Sequence, residues 1–451
     1  MPAATTNTQP STREVWSYLG RYRGHIAAGV VLLVATSSFA LTSPYLLGRI
    51  VDELQGPKPA ATIPALALAM IGFAILQAVA RIGSRVALFN AARKAEYDLR
   101  SQLFRHLLSL DSLFFARTPT GDVMSRLIND VQTIRGMWGP GLLNLVNTSF
   151  VFVTALTLMI SIDPWLTLWA ILPYPGMFIF GRLFSRRLYR YSRAVQEQLG
   201  DLSASLQEDL SGIGVIKNYT LEDSRRQQFA EMSAVLRDRN MSLVQVRGQL
   251  IPTLMGLASL SVIIVLYVGG RAVIDPNDPL KLGRLIQFNG YLALLVWPTL
   301  ALGWMLSLLQ RGRASWQRID DFLATEPTIC DGDGQPHEPE QDAGASDCRG
   351  LSFEIDGQAI LRDVHFETPA GTTTAIVGRT GSGKSTLVEM IPRIANVPPG
   401  TVFLDGRDVT TLPLSSLRRL IGYAPQEAFL FSRSIESNIA YAAGGDIDAA
   451  A

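Results

Sequence analysis

Six stretches of this chain, 26–48, 63–80, 136–162, 164–181, 248–270 and 285–310, contain no Asp, Glu, Lys or Arg. Each is about 18 residues or longer, the length a helix needs to cross the hydrocarbon core of a bilayer. Inside hydrocarbon the backbone polar groups must pair within their own segment, which confines such runs to helices. A buried helix of a soluble enzyme seldom stays uncharged for so long, and six runs predict six membrane spans. The first outlasts the apolar core of a signal peptide and five more follow it, so it reads as an anchor. The third and fourth meet at Asp163-Pro164, a hairpin with almost no loop.

Charged residues make up only 18% of the chain, against about 25% in an ordinary soluble protein. The net charge of +1 gives no argument for a nucleic-acid partner. Position is more informative than total. The segments 81–135 and 182–247 hold nine and eleven Lys or Arg, while 49–62, 163 and 271–284 hold two, none and three. Basic residues stay on the cytoplasmic side, so the N-terminus, both basic loops and everything after the sixth span are predicted to be cytoplasmic, in the plasma membrane. Cys330 and Cys348 lack metal-ligand spacing and read as free thiols, and the four histidines form no cluster.

The two basic loops have helical composition. AARKAEYDLRSQLFRHLLSL (91–110) places apolar residues at helical spacing with charges between them. Both loops are expected to extend the membrane helices into the cytoplasm and to turn at 112–122 and 211–223. Those turns mix aromatic residues with Gly and Pro, as a docking element does; an ordinary helix–loop–helix turn is the competing reading. The stretch 326–347 has seven acidic residues and no Lys or Arg, which predicts an extended, flexible linker. The chain thus divides into a cytoplasmic segment (1–23), a membrane domain (24–325), the linker (326–347) and a C-terminal domain (348–451).

That last domain carries GRTGSGKS at 378–385, the full P-loop pattern. The preceding TTTAIVG (372–378) is β-branched and apolar and predicts a buried strand, while STLVEMI (385–391) opens a helix. Gly378, Gly381 and Gly383 permit the tight turn that aims N–H groups at phosphate oxygens. Lys384 then reaches the β- and γ-phosphates, and the Ser385 hydroxyl ligates Mg²⁺. The nucleotide-binding set is Gly378, Arg379, Thr380, Gly381, Ser382, Gly383, Lys384, Ser385 and Thr386. A Gly-rich turn with no ligand is the bland alternative.

Six spans with long cytoplasmic helices, followed by a P-loop domain, resemble a half-transporter of the six-helix ATP-binding cassette (ABC) exporter type. FFARTPTGDVMSRLINDV (114–131) and SLQEDLSGIGVIKNYTLED (205–223) look like the family's two intracellular loops. VWPTLALGWMLSLLQRGRASWQRIDDFL (296–323) is similar to the sixth span and exit helix of multidrug-type exporters, particularly subunits of bacterial heterodimers. RRLIGYAPQEAFLFSRSIESNIA (418–440) contains the family's Q-loop, with Gln426. The resemblance implies that Gln426 approaches Mg²⁺ and the attacking water, and that 427–435 receives a docking helix from an intracellular loop. It implies ATP and Mg²⁺ as cofactors, and as partners membrane lipid, a second half-transporter and a hydrophobic or amphipathic substrate. The fold class is therefore an all-α six-helix membrane domain followed by an incomplete α/β P-loop NTPase domain.

Two departures stand out. The family's pattern of Phe, any residue, Tyr upstream of the P-loop reads Phe353-Glu354-Ile355 here, which removes an adenine-stacking ring worth on the order of 1 kcal/mol. The alternation of Phe353 with Ile355 predicts that Phe353 faces the core. No LSGGQ signature, Walker B strand, catalytic Glu or switch His follows the Q-loop before Ala451. Beside an ATP-driven half-transporter exporting a drug, lipid or peptide-like amphiphile stands the alternative of a non-catalytic, truncated or remnant subunit. A membrane protein with an unrelated P-loop kinase or GTPase domain would lack the Q-loop string.

Overall fold

The computed structural model describes residues 12–55, 62–276, 280–332, 344–355, 357–426 and 429–443. A short helix α1 (Thr12–Gly20) precedes α2 (Arg23–Leu54) and α3 (Ile63–Ser109). After the small α4 (Ser112–Arg117) come α5 (Thr120–Ile162) and α6 (Pro164–Ser211). The small α7 (Ile213–Asn218), α8 (Glu222–Ile274) and α9 (Leu282–Leu323) complete the helical part. Among the described residues six helices, α2, α3, α5, α6, α8 and α9, are long and apolar enough to cross a membrane. All of them but α2 run far past the uncharged runs, and the two predicted turns are α4 and α7 with their flanks.

Local chemistry explains the irregularities. Asp163 ends α5 and its carboxylate accepts the Trp165 and Leu166 N–H groups at 2.8 and 3.0 Å. With Pro164 at the first helical position, this makes the tight hairpin the sequence predicts. α5 contains two π-turns, the second carrying Pro140, whose carbonyl accepts from Asn144 Nδ2 at 2.8 Å. Polar residues in the spans join helices, as Ser37 Oγ does in donating to Asn147 Oδ1 at 2.8 Å.

The chain forms two compact units: Met1–Asp98 with Gln132–Trp316, and Leu99–Val131 with Gln317–Ala451. In the first, Phe288, Tyr291, Leu292 and Leu295 of α9 pack with Ala155 and Met159 of α5, Leu166 of α6 and Val265 of α8. Small residues allow close approach of α2 and α9. A Cβ on Gly283 would lie 2.1 Å from the Gly48 carbonyl oxygen, and one on Gly290 would lie 2.6 Å from Pro44 Cβ.

In the second unit, β1 (Ser346–Ile355) and β2 (Gln358–Thr368) pair antiparallel from Ser346↔Thr368 to Ile355↔Gln358. After α10 (Lys384–Met390), β3 (Val402–Leu404) and β4 (Arg407–Asp408) complete a sheet of order β2-β1-β3-β4. Asp405 and Gly406, both at positive φ, make the two-residue turn between β3 and β4. The helices α11 (Leu414–Arg419) and α12 (Ile435–Ile439) follow. Cys348, Leu351 and Leu361 from the sheet close a core with Leu387 and Met390 of α10 and Leu417 of α11. Phe353 packs against that core, as its alternation predicts.

Two expectations are corrected. Residues 372–378 form no strand: the stretch has no regular secondary structure and is exposed, with Val377 89% accessible. A strand needs a neighbour for its N–H and C=O groups, and among the described residues none pairs with it. The start of the acidic linker is also not free. Ile329 is buried, the Gly332 N–H bonds to the Leu412 carbonyl, and Asp331 Oδ1 caps α11 at the Leu414 N–H, 2.8 Å away. Residues 333–343 lie outside the described residues.

Candidate functional site

The P-loop turns where its glycines require it. Gly381 and Gly383 have φ of +80° and +84°, the left-handed region that a side chain disfavours. Gly383 is the N-cap of α10 and meets β2 closely, since a Cβ there would stand 2.8 Å from Leu361 Cδ2 and 3.0 Å from the Ile360 carbonyl. At Gly378 an added Cβ would lie 2.7 Å from Ser382 Oγ, so that hydroxyl would have to turn away.

The loop folds around Lys384. Its Nζ donates to the carbonyls of Gly378 and Arg379 at 2.8 and 2.7 Å, and the Ser382 N–H donates to Arg379 O at 3.2 Å. Lys384, Ser385 and Thr386 occupy the first turn of α10, where helix geometry leaves N–H groups without an intrahelical acceptor. Arg379, Thr380, Gly381 and Ser382 are exposed, as is Ser385. The result is an exposed loop that brings one primary ammonium and a hydroxyl to the first turn of α10 with its free N–H groups, a combination that suits an anion with several oxygens.

Gln426 sits at an exposed bend. Among the described residues no hydrogen bond joins it to 378–386. The segment before it is tied to the P-loop helix by the Tyr423 hydroxyl, 3.5 Å from Glu389 Oε1. Burial, then the neighbouring Glu389 carboxylate, raises the Tyr423 pKa. Beyond it Phe429 and Leu430 are each 75% accessible and Ile435 is 80%, an apolar face turned to solvent.

Sequence reasoning missed the segment that follows α10. Arg393 is 5% accessible, has φ of +52°, and its Nε and one Nη find no acceptor. Burial first, then the adjacent Arg418, lowers its pKa. Arg418 instead donates to the Pro392 and Arg393 carbonyls at 3.2 and 2.9 Å. The next residue, Ile394, offers its carbonyl to Ser112 Oγ at 2.9 Å. Ser112 opens α4, whose N-cap Asp111 accepts the Phe114 N–H at 3.0 Å and the Thr328 hydroxyl. Only the Asp-Ser pair before an aromatic run hinted at this in the sequence. The consequence is chemical continuity from P-loop helix to the loop that joins α3 and α5.

The family profile for the ABC transporter transmembrane region matches residues 26–299, and the ABC transporter profile matches 361–451. The chain belongs to the ABC transporter family. It is similar to the probable multidrug resistance ABC transporter ATP-binding/permease protein YheI of Bacillus subtilis, 32% identical over 91% of this chain and 70% of that protein. It is likewise similar to the multidrug resistance-like ATP-binding protein MdlA of Escherichia coli, 31% identical over 94% of this chain and 72% of that protein. The ATP-dependent lipid A-core flippase of Vibrio cholerae is 28% identical over 96% of this chain and 74% of its own. The relatives and the six apolar helices make this a multi-pass ABC transporter of the exporter type, with ATP as its nucleotide.

Proposed function

We propose that this ABC half-transporter binds Mg-ATP at 378–386 and uses it to export an amphipathic substrate. The observation that carries this reading is the contact between Ser112 and the Ile394 carbonyl. A change at the phosphate-facing end of α10 passes down one helix and through Pro392–Ile394 to α4, which is covalently continuous with α3 and α5. Two membrane spans are thus mechanically linked to the nucleotide loop.

Within the site, amides of 379–386 and the Lys384 ammonium would hold the phosphates, and the Ser385 hydroxyl would hold Mg²⁺. Among the described residues no cluster of three or more His, Cys, Asp or Glu competes as a metal site. The neutral amide of Gln426, able both to donate and to accept, suits a sensor of the γ-phosphate region. The exposed face at Phe429, Leu430 and Ile435 suits a docking helix from an intracellular loop. The excess of Lys and Arg at 81–135 and 182–247 favours a cytoplasmic placement of both loops and of the cassette. A second half-transporter completes the assembly, and the similarity of 296–323 to subunits of bacterial heterodimers favours a non-identical one.

Binding of a fluorescent ATP analogue to the purified chain in lipid nanodiscs tests the site. Lys384→Ala should weaken Mg-ATP by about tenfold or more, since it removes a charge-assisted contact of roughly 1.5–3 kcal/mol. Equal affinity of the variant would refute the assignment.

A further inference from the structure

Phe322, the next-to-last residue of α9, is 2% accessible although the helix ends one residue later. Three elements of the same compact unit close around its ring. The Phe114 ring of α4 meets it edge-on with centres 5.5 Å apart, and the His106 ring of α3 does so at 6.2 Å. The Arg126 guanidinium of α5 lies over it, 5.5 Å from its centre. Hydrogen bonds fix the same corner. His106 Nε2 stands 3.1 Å from the Phe322 carbonyl, and since a carbonyl only accepts, that nitrogen carries a proton. Arg126 Nη1 donates to the Arg318 carbonyl at 3.3 Å. Arg318 in turn clasps the buried Asp130 of α5 with Nε, 2.9 Å away, and with Nη2.

Helix geometry makes α4 a wedge. At about 100° per residue, Ser112 and Phe114 leave this six-residue helix on nearly opposite sides. One side presents the Ser112 hydroxyl to the Ile394 carbonyl, and the other presents the Phe114 ring to Phe322. A displacement at Ile394 therefore reaches α9 through α4. Beyond α9 the chain continues through 325–331, which has no regular secondary structure. Close-packed side chains transmit strain, so the buried ring is the stiffer of the two routes.

We propose that Phe322 is a positioning residue that couples α9 to the nucleotide loop: its ring, gripped by His106, Phe114 and Arg126, makes α9 move with α4. This rests on the export reading, in which the contact at Ile394 drives α4, and adds a third span to the two already linked.

Bimane on a single cysteine, with Cys330→Ser and Cys348→Ala as background, reads the movement in the full chain in lipid nanodiscs. Arg105→Cys on α3 and Ala314→Cys on α9 place the label at exposed positions. Mg-ATP should shift the emission at both when Phe322 is present. Phe322→Ala should cut the shift at 314 by about threefold or more, and leave the shift at 105 and the affinity for Mg-ATP within about twofold. Phe322→Leu, which keeps apolar bulk, should retain most of the response. Because Phe322 is buried, Phe114→Ala attacks the same contact from its half-buried side. It should reproduce the loss at 314, and the double variant should do no more than either alone. An unchanged shift at 314 in Phe322→Ala overturns the proposal and assigns the coupling to 325–331. So does an equal loss at 105 and 314, the mark of general loosening. A chain with Phe322 that binds Mg-ATP and moves neither label overturns the export reading and this proposal with it. One in which 105 responds and 314 does not overturns this proposal alone.

Discussion

Arg393 shows how much a single buried side chain can cost. Its guanidinium is out of water, leaves two nitrogens without acceptors and stands beside the like charge of Arg418. A buried donor left unpaired costs about 1–3 kcal/mol, whereas an apolar side chain of similar shape carries no such penalty. Arg393→Met should therefore leave thermal stability unchanged or raise it. Arg418→Met should lower it by about 1–3 kcal/mol, because the two carbonyls it holds lose their donor. Calorimetry of both variants checks the contrast, and a large loss in Arg393→Met would mean that its charge has a partner. The cysteines make a second pair of opposites. Cys330 is exposed, while burial, above all, pushes the Cys348 thiol up. A raised thiol pKa leaves less of the reactive thiolate at any given pH. At pH 8 the folded chain should take up one equivalent of maleimide quickly and the second only in denaturant. Two fast equivalents would show that Cys348 is not in the core.

α4 is six residues long, too short to persist without its cap. Asp111→Ala removes that cap and the Thr328 contact together, and should destabilise the second unit by about 1–2 kcal/mol. Limited proteolysis between 111 and 122 should speed up accordingly, while affinity for ATP in binding assays changes little. Unchanged proteolysis would mean that the loop is held by something else. The long helices were legible in the sequence because span length and the exclusion of charge are properties of the segment itself. The P-loop was legible for a related reason: the left-handed turns at Gly381 and Gly383 are written into residue type. The run 372–378 was misread as a strand, since apolar β-branched residues supply propensity but not a neighbouring ladder. The docked stretch 327–332 was misread as linker, since acidic composition hides what one isoleucine and one capping Asp331 can do. Arg393 carried no signal at all, because its left-handed backbone is imposed by surrounding structure rather than by its own side chain.

At the scale of the whole chain, sidedness is the property most open to test. With Cys330→Ser and Cys348→Ala as background, a cysteine at position 276 should react with a membrane-impermeant maleimide added to sealed cells, and one at 120 should not. The reverse pattern would invert the topology inferred from Lys and Arg. Position in space does not follow position in the chain here, since 99–131 clusters with 317–451 and not with 1–98 or 132–316. That has a consequence in time. At about 5–20 residues per second, residues 99–131 leave the ribosome roughly 10–40 s before the segment they pack against begins to appear. During that interval α4, with its own Phe114 and Phe115, is a nascent, unpartnered surface. The later spans are synthesised before the second unit can close, so a chain that stalls during insertion displays an unmet apolar loop to the cell's chaperones and proteases.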